Sequence, residues 1–320
     1  MSLKHRPATW PWYLLLAAIL ISLVAGLWIA TKRVHYEWRW ERVPQYFAYR
    51  AEVPQESPVA GRVSAIQADG ALSRVVVTPA DGGAPVVLPV ETVQVAVGDT
   101  LDREDSVGDN REWRIGPLTQ GLWVTIWISF VSGLVGLLIG LITGLCRISD
   151  NPVLRGLAVI YIELIRGTPL LVQIFIFYFF IGTVLNLDRI VAGIGALALF
   201  VGAYIAEIIR AGIQSIAKGQ TEAARSLGMS AFQNMAYIVL PQAFKRVLPP
   251  LAGQFISLIK DSSLVSVIAI TDLTKSGREI ITASFATFEI WFTVALLYLV
   301  VTSLLSQLLF WLERRFARSD

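Results

Sequence analysis

The sequence predicts an all-α polytopic membrane protein of about six transmembrane helices, carrying a small, mostly β extracytoplasmic insert. Three observations carry that prediction. Of 320 residues, 55% are hydrophobic and 16% charged, with mean hydropathy +0.60, whereas soluble domains carry about 25% charged residues. Six stretches have the apolar length that a bilayer demands. One window after the first of them, residues 34–114, is polar and rich in turn signals instead. The same composition leaves too much apolar surface for intrinsic disorder. One cysteine, Cys146, excludes a disulfide framework and a multi-thiolate metal site. Two histidines, His5 and His35, leave little for a His-ligated metal or a histidine base. No metal site and no catalytic residue is expected. A net charge of +3 is too small to argue for nucleic acid.

A helical span needs about 20 apolar residues. Residues 7–31, 115–146, 167–187, 190–206 and 290–312 contain no Asp, Glu, Lys or Arg. Residues 247–271 are broken only by Lys260 and Asp261. The fourth run is short, at 17 residues. The first is long for a signal peptide, and Trp28 two before Ala30 spoils a small-x-small cleavage site, so it is expected to remain as an anchor. With the N-terminus inside, the short cytoplasmic segments hold twelve basic residues and the short outer loops only Arg189, Lys275 and Arg278. Positive residues favour the cytoplasm. Lys32 and Arg33 run against this trend without reversing it. The expected organisation is a cytoplasmic tail and anchor over 1–33, the insert over 34–114, and a membrane domain over 115–320 with a cytoplasmic loop at 208–249. Both termini are expected inside and the insert outside, on a cell (inner) membrane.

The insert holds eight Arg, no Lys and thirteen acidic residues. Strand-like runs at 62–66, 73–78, 85–90 and 92–97 are separated by Asp69-Gly70, Asp81-Gly82-Gly83 and Gly98-Asp99. A spacer role and a docking role for a periplasmic partner are both open. Glycines 136, 140 and 144 form a small-residue stripe suited to close helix approach, within the subunit or between subunits. Trp10, Trp12, Trp113, Trp291 and Trp311 lie near span ends and read as interface anchors.

The loop at 208–249 is composed unlike a linker. Residues 222–227 favour helix. Gly228 can take a positive φ and end it, and Ser230 can cap a second helix through Phe232 to Val239. Pro241, Pro249 and Pro250 punctuate the chain beyond it. The expectation is a bent pair of short helices. By itself it could be a lever or merely a tie between spans.

Here the sequence resembles a known family. Glu222-Ala223-Ala224, three residues, Gly228, nine residues, Ile238, one residue, then Leu240-Pro241 matches the EAA signature of ABC-importer permeases. Residues 165–173, 210–220 and 256–265 are similar to the polar amino acid uptake branch, which includes histidine, glutamine and arginine permeases. The resemblance spans about residues 115–316. It implies the five-helix core of a type I ABC importer that moves polar or charged amino acids inward by alternating access. It implies two separate ABC ATPase subunits, a second permease (identical or homologous), and a periplasmic amino acid-binding protein. ATP would sit on the partner; this chain would bind no cofactor and is not expected to be an enzyme, which agrees with the lack of a Walker A sequence. The resemblance assigns Glu222, Ala223, Ala224, Gly228, Leu240 and Pro241 to ATPase coupling.

Glu207 and Arg210 are spaced i,i+3, as for an ion pair at the inner rim, and Glu163 and Arg166 repeat that spacing. Polar residues inside spans are expensive and need a reason. Thr168, Gln173, Gln254, Ser257, Lys260 and Asp261 are therefore candidates for the substrate pathway, against the plainer role of interhelical hydrogen bonding. Gln254, where several basic amino acid permeases of the branch carry Glu, weakens a cationic side-chain preference and leaves the charge of the substrate side chain open. A membrane-anchored sensor or assembly protein, and a stand-alone secondary transporter, are the alternative functions.

Overall fold

The computed structural model describes residues 10–70 and 72–317. The chain forms two units, divided between Glu41 and Arg42. The first contains α1 (Trp10–Arg33), an apolar helix whose side chains are exposed apart from Thr31. The expected first span begins at residues 7–9, which lie outside the described residues. Past α1, the Trp38 and Trp40 rings stack with centroids 5.7 Å apart.

The second unit begins within the expected insert, at Arg42, and holds its strands. Its strands are β1 (Ala48–Glu56), β2 (Gly61–Asp69), β3 (Leu72–Pro79), β4 (Val86–Val90), β5 (Thr92–Val93), β6 (Thr100–Leu101) and β7 (Ser106–Ile115). They form two antiparallel sheets, ordered β1-β7-β5 and β4-β3-β2-β6. Val63, Val75, Val77, Leu88, Val90, Leu101 and Val107 make one apolar core from both sheets. The expected turns are present, with positive φ at Gly70, Gly82 and Gly98. Sequence patterning misses β1 and β7. Their ribbon runs from Ala48↔Ile115 to Glu56↔Ser106 and is largely exposed on both faces, so it carries no apolar alternation.

The ribbon leads into the membrane domain after one residue. Helix α2 (Pro117–Arg147) starts with proline at its first turn, where the missing N–H costs nothing. The Gly116 amide and the Thr119 hydroxyl both donate to the Phe47 carbonyl, at 2.8 and 2.9 Å. A Cβ at Gly116 would lie 2.3 Å from the Tyr46 oxygen. The insert is thus fused to the start of α2.

The remaining helices are α3 (Pro152–Arg166), α4 (Leu170–Phe175) continued by a π-helical segment at Ile176–Gly182, α5 (Arg189–Gln214), α6 (Lys218–Ser226), α7 (Ala231–Asn234), α8 (Leu240–Asp261), α9 (Leu273–Ser284) and α10 (Thr287–Ala317). Among the described residues five helical segments are long and apolar enough to cross a membrane, or six if the pair bent by 107° between α3 and α4 counts as one. The run at 167–187 therefore starts at the bend, and its helix is paired with α3 across that break. The short run at 190–206 lies within the 26 residues of α5, because Glu207 and Arg210 near its end neutralise each other. Pro249 and Pro250 sit inside α8 without ending it. Helices α3 and α9 are absent from the sequence expectation: their charges break the apolar runs.

Packing centres on α2 and α5. A Cβ at Gly136 would lie 2.2 Å from Val201 Cγ1, and one at Gly140 2.5 Å from Ile205 Cγ2. At Gly144 it would meet the Ala206 carbonyl at 3.0 Å. The stripe therefore serves a seam within the subunit. Gly140→Val is expected to destabilise the fold by about 1–3 kcal/mol through overpacking. Gly156→Val, at a position with no neighbour within 4 Å, is the control. Thermal unfolding in detergent checks this; equal Tm losses for the two variants would contradict the seam.

Asp272 caps α9, accepting from the Lys275 and Thr274 amides at 2.9 and 3.2 Å, and is fully buried. Burial pushes its carboxyl above the ordinary carboxylate range, against the pull of these amide bonds and the Tyr298 hydroxyl. The native state then holds this proton more tightly than the unfolded chain, so Asp272 makes stability fall as pH rises from the unfolded to the raised folded value. Asp272→Asn keeps a capping oxygen and is expected to flatten the decline of Tm with pH above about 4. An unchanged Tm–pH profile would count against it.

Candidate functional site

Two groups of residues stand out. The first is the bent element α6–α7. Helix α6 ends in a glycine cap: Gly228 has φ +79°, its amide donates to the Arg225 carbonyl at 2.9 Å, and the Met229 amide donates to the Ala224 carbonyl at 3.1 Å. This pair of bonds is the Schellman arrangement, which favours glycine at the left-handed residue. Two residues on, Ser230 and Gln233 form a reciprocal capping box, with the Gln233 amide donating to Ser230 Oγ at 3.2 Å and the Ser230 amide donating to Gln233 Oε1 at 2.9 Å. The corner is therefore closed by hydrogen bonds on both sides. Asn234 Nδ2 donates back to Thr221 Oγ1 at 3.3 Å, tying α7 to α6.

The element is also fastened to the spans. Arg246 on α8 donates to the Ser215 carbonyl and to its hydroxyl, at the end of α5. A Cβ at Gly212 would lie 2.1 Å from Val247 Cγ2, so α5 and α8 meet closely there. A π-helical segment at Met235–Val239 joins α7 to α8 and admits Pro241 into the first turn of α8.

Of the six coupling candidates, Glu222, Ala223, Gly228, Leu240 and Pro241 are exposed, and Ala224 is turned inward at 3% exposure. Sequence reading did not single out Leu227 and Phe232, which stand 82% and 78% exposed beside them. One signal for Leu227 was available: it lies four residues after Ala223, on the same helical face.

The second group is polar and lies near the breaks in the helices. At the bend, Thr168 Oγ1 donates to the Leu164 carbonyl at 2.8 Å. Gln173 Nε2 donates to the Ile165 carbonyl at 2.7 Å and to the Thr168 carbonyl and hydroxyl at 3.0 and 2.8 Å. The amide thus serves carbonyls freed where α3 ends, leaving its Oε1 buried and unpartnered. On α8, Lys260 is exposed while Gln254, Ser257 and Asp261 are half-buried. Among the described residues none of these four side chains forms a hydrogen bond or ion pair, to Thr168 and Gln173 or elsewhere. Leu170 and Ile174 on α4 and Leu258 on α8 nevertheless belong to one apolar core. Glu207 and Arg210 pair as their spacing predicts, with Arg210 Nε donating at 3.0 Å. Glu163 and Arg166 form no such pair; Arg166 lies over the Tyr204 ring instead, 5.4 Å from its centroid.

A family model described as "Binding-protein-dependent transport system inner membrane component" matches residues 136–318. The chain belongs to that family. This permease is 45% identical over 161 residues to the glutamine transport system permease protein GlnP of Escherichia coli (strain K12), covering 49% of this chain and 74% of that one. It is 41% identical over 203 residues to the L-cystine transport system permease protein TcyB of Bacillus subtilis (strain 168), covering 63% and 87%. A crystal structure of an amino acid ABC transporter aligns with TM-score 0.59 at 41% identity, over 62% of this permease and 94% of that chain. An inward-facing MetNI methionine ABC transporter, at 22% identity and TM-score 0.56, shares the fold. The insert lies outside the residues matched by the family model.

Disrupting either cap should loosen the corner. Ser230→Ala is expected to cost about 1 kcal/mol locally, and Gly228→Ala roughly 1–2 kcal/mol from its left-handed backbone. Amide hydrogen exchange over α6 and α7 checks this. Protection that stays at the wild-type level in both variants would show that the caps do not hold the corner.

Proposed function

We propose that this chain is the permease subunit of an ATP-binding-cassette importer that carries polar amino acids into the cell. The observation that carries the reading is the capped α6–α7 corner, bearing the EAA residues and the exposed Leu227 and Phe232, in a chain of the binding-protein-dependent transport family. The amino acid class is supported by the glutamine and cystine permeases to which the chain is similar.

In this reading the corner docks into a cleft of a separate ATPase, with Ala223, Leu227, Gly228 and Phe232 as its outward surface. Ala224 contributes by letting α6 sit close on the permease body. Two ATPases and two permeases, identical or homologous, complete the assembly, and a periplasmic binding protein delivers the amino acid. ATP resides on the ATPases. For ATP to drive the spans, the ATP-bound pair must favour one permease state over the other. Its movement reaches the membrane through α5 and α8, which the Gly212–Val247 approach and the Arg246–Ser215 bonds hold to the corner. The spans then rock between inward-open and outward-open states.

Within the spans, the unpartnered side chains of α8 are the substrate-facing group. Lys260 and Asp261 offer opposite charges to the carboxylate and ammonium of a zwitterion, and Gln254 and Ser257 offer neutral hydrogen bonds to a polar side chain. Thr168 and Gln173 line the path while holding the bend. The insert at 34–114 stands on the extracytoplasmic side, the anchor at 1–33 crosses from the inside, and the membrane domain occupies 115–320.

The test is ATP-dependent uptake of labelled glutamine by proteoliposomes containing the permease, its ATPase and the binding protein. Phe232→Ala is expected to weaken ATPase association by about 2 kcal/mol or more, roughly thirtyfold, as for an aromatic interface anchor. Gly228→Trp is expected to abolish uptake while ATP hydrolysis continues. Undiminished uptake by both variants would refute the docking surface. Uptake driven by an ion gradient without any ATPase would refute the class.

A further inference from the structure

Beside the α6–α7 corner lies a cavity of about 860 Å³, which the coupling candidate Glu222 also lines. One wall is the turn between α2 and α3, and the other is formed by α6, α7 and the end of α5. Five cationic side chains line it: Arg147, Arg155, Arg210, Lys218 and Arg225. Against them stand two carboxylates, Asp150 and Glu222. Arg210 is already engaged by Glu207 and Gln214. The other four cations have no ion pair among the described residues. The four line an open cleft, with Arg155, Lys218 and Arg225 exposed and Arg147 half-buried.

Two polar atoms mark that space as incomplete. Arg147 Nε is buried and has no hydrogen-bond partner. Asn234 is 8% exposed, lines the cavity, and its Oδ1 is likewise buried and unpartnered. Its amide nitrogen bonds Thr221 Oγ1, a hydroxyl that can donate as well as accept. With the amide turned over, that bond is kept and the open position becomes an NH₂ that lacks an acceptor. Buried polar groups in folded proteins are nearly always satisfied, so these atoms lack something. Arg147 Nε lacks an acceptor, and an anionic one would also balance the cations around it.

We infer that this cavity binds a phosphate-bearing anion, held by Arg147, Arg155, Lys218 and Arg225 with Asn234 as a neutral donor. The guanidinium fork suits phosphate oxygens, and the volume falls within the range of small-molecule sites. Two sources share this chemistry, an anionic phospholipid headgroup and a soluble phosphate compound. Such an anion would bridge the α2–α3 turn to α6 and α7, and so restrain the corner. That consequence rests on the coupling role proposed above; the binding does not.

The test uses the full chain, alone and with its ATPase. Pyrophosphate is titrated at constant ionic strength, and lipids retained from phosphatidylcholine nanodiscs with and without phosphatidylglycerol are identified by native mass spectrometry. Saturable pyrophosphate binding with a raised Tm, or selective phosphatidylglycerol retention, is expected. Arg147→Gln and Arg225→Gln should each weaken it about tenfold or more, since each removes a charge-assisted hydrogen bond. Arg155→Gln, on an exposed side chain of α3, serves if Arg147→Gln does not fold. Arg314→Gln, outside the cavity, should leave binding intact. Pyrophosphate alone binding identifies a soluble source, and phosphatidylglycerol alone a lipid source. Binding of neither, equal loss in Arg314→Gln, or displacement of both probes by the ATPase would overturn the inference. Because these readouts involve no transport, they fail or succeed independently of the importer reading.

Discussion

The close approach of α2 and α5 along Gly136, Gly140 and Gly144 holds the two ends of the membrane domain to one body. Helices in lipid gain little from hiding apolar surface from one another, since the solvent is equally apolar. Contact must come from backbones that can approach. Val201, Ile205 and Ile209 fill the space that side chains on α2 would have taken. The insert grows from one end of α2, and the α6–α7 corner hangs from the far end of α5. Both appendages are therefore referred to the same seam.

Elsewhere the membrane domain departs from straight helices. The 107° bend between α3 and α4 frees backbone carbonyls, and Gln173 and Thr168 take them up. The two π-helical segments and the 3-10 turn at Ser262–Ile268 keep local hydrogen bonds while changing direction. Irregular backbone at this depth is tolerated only where it is satisfied internally or faces a wet cavity. The α8 side chains at 254, 257, 260 and 261 differ from the bend residues here. Among the described residues they form no hydrogen bond or ion pair.

Rigidity at the corner follows from the same accounting of backbone groups. A Schellman cap, a capping box and the Asn234–Thr221 bond leave little freedom between α6 and α7. Such a piece transmits displacement instead of absorbing it. At the other end, the Phe47 carbonyl receives both Gly116 and Thr119, so the β1/β7 ribbon continues into α2 without a flexible link.

The sequence by itself determined the membrane class, the presence of a small β insert, three of its turns, the helix–glycine–helix corner and the Glu207–Arg210 pair. Each rests on local chemistry: apolar length, turn residues, caps and i,i+3 spacing. Only the tertiary structure decided that the glycine stripe seals α2 to α5, that Ala224 faces inward while Leu227 and Phe232 face out, and that residues 167–187 follow a sharp bend. It also decided that β1 and β7 pair, that α3 and α9 are helices, and that four unpaired cations surround one cavity. The physical reason is common to all of these. Burial and partnership depend on which distant backbone arrives next to a residue, and neither periodicity nor composition encodes that meeting.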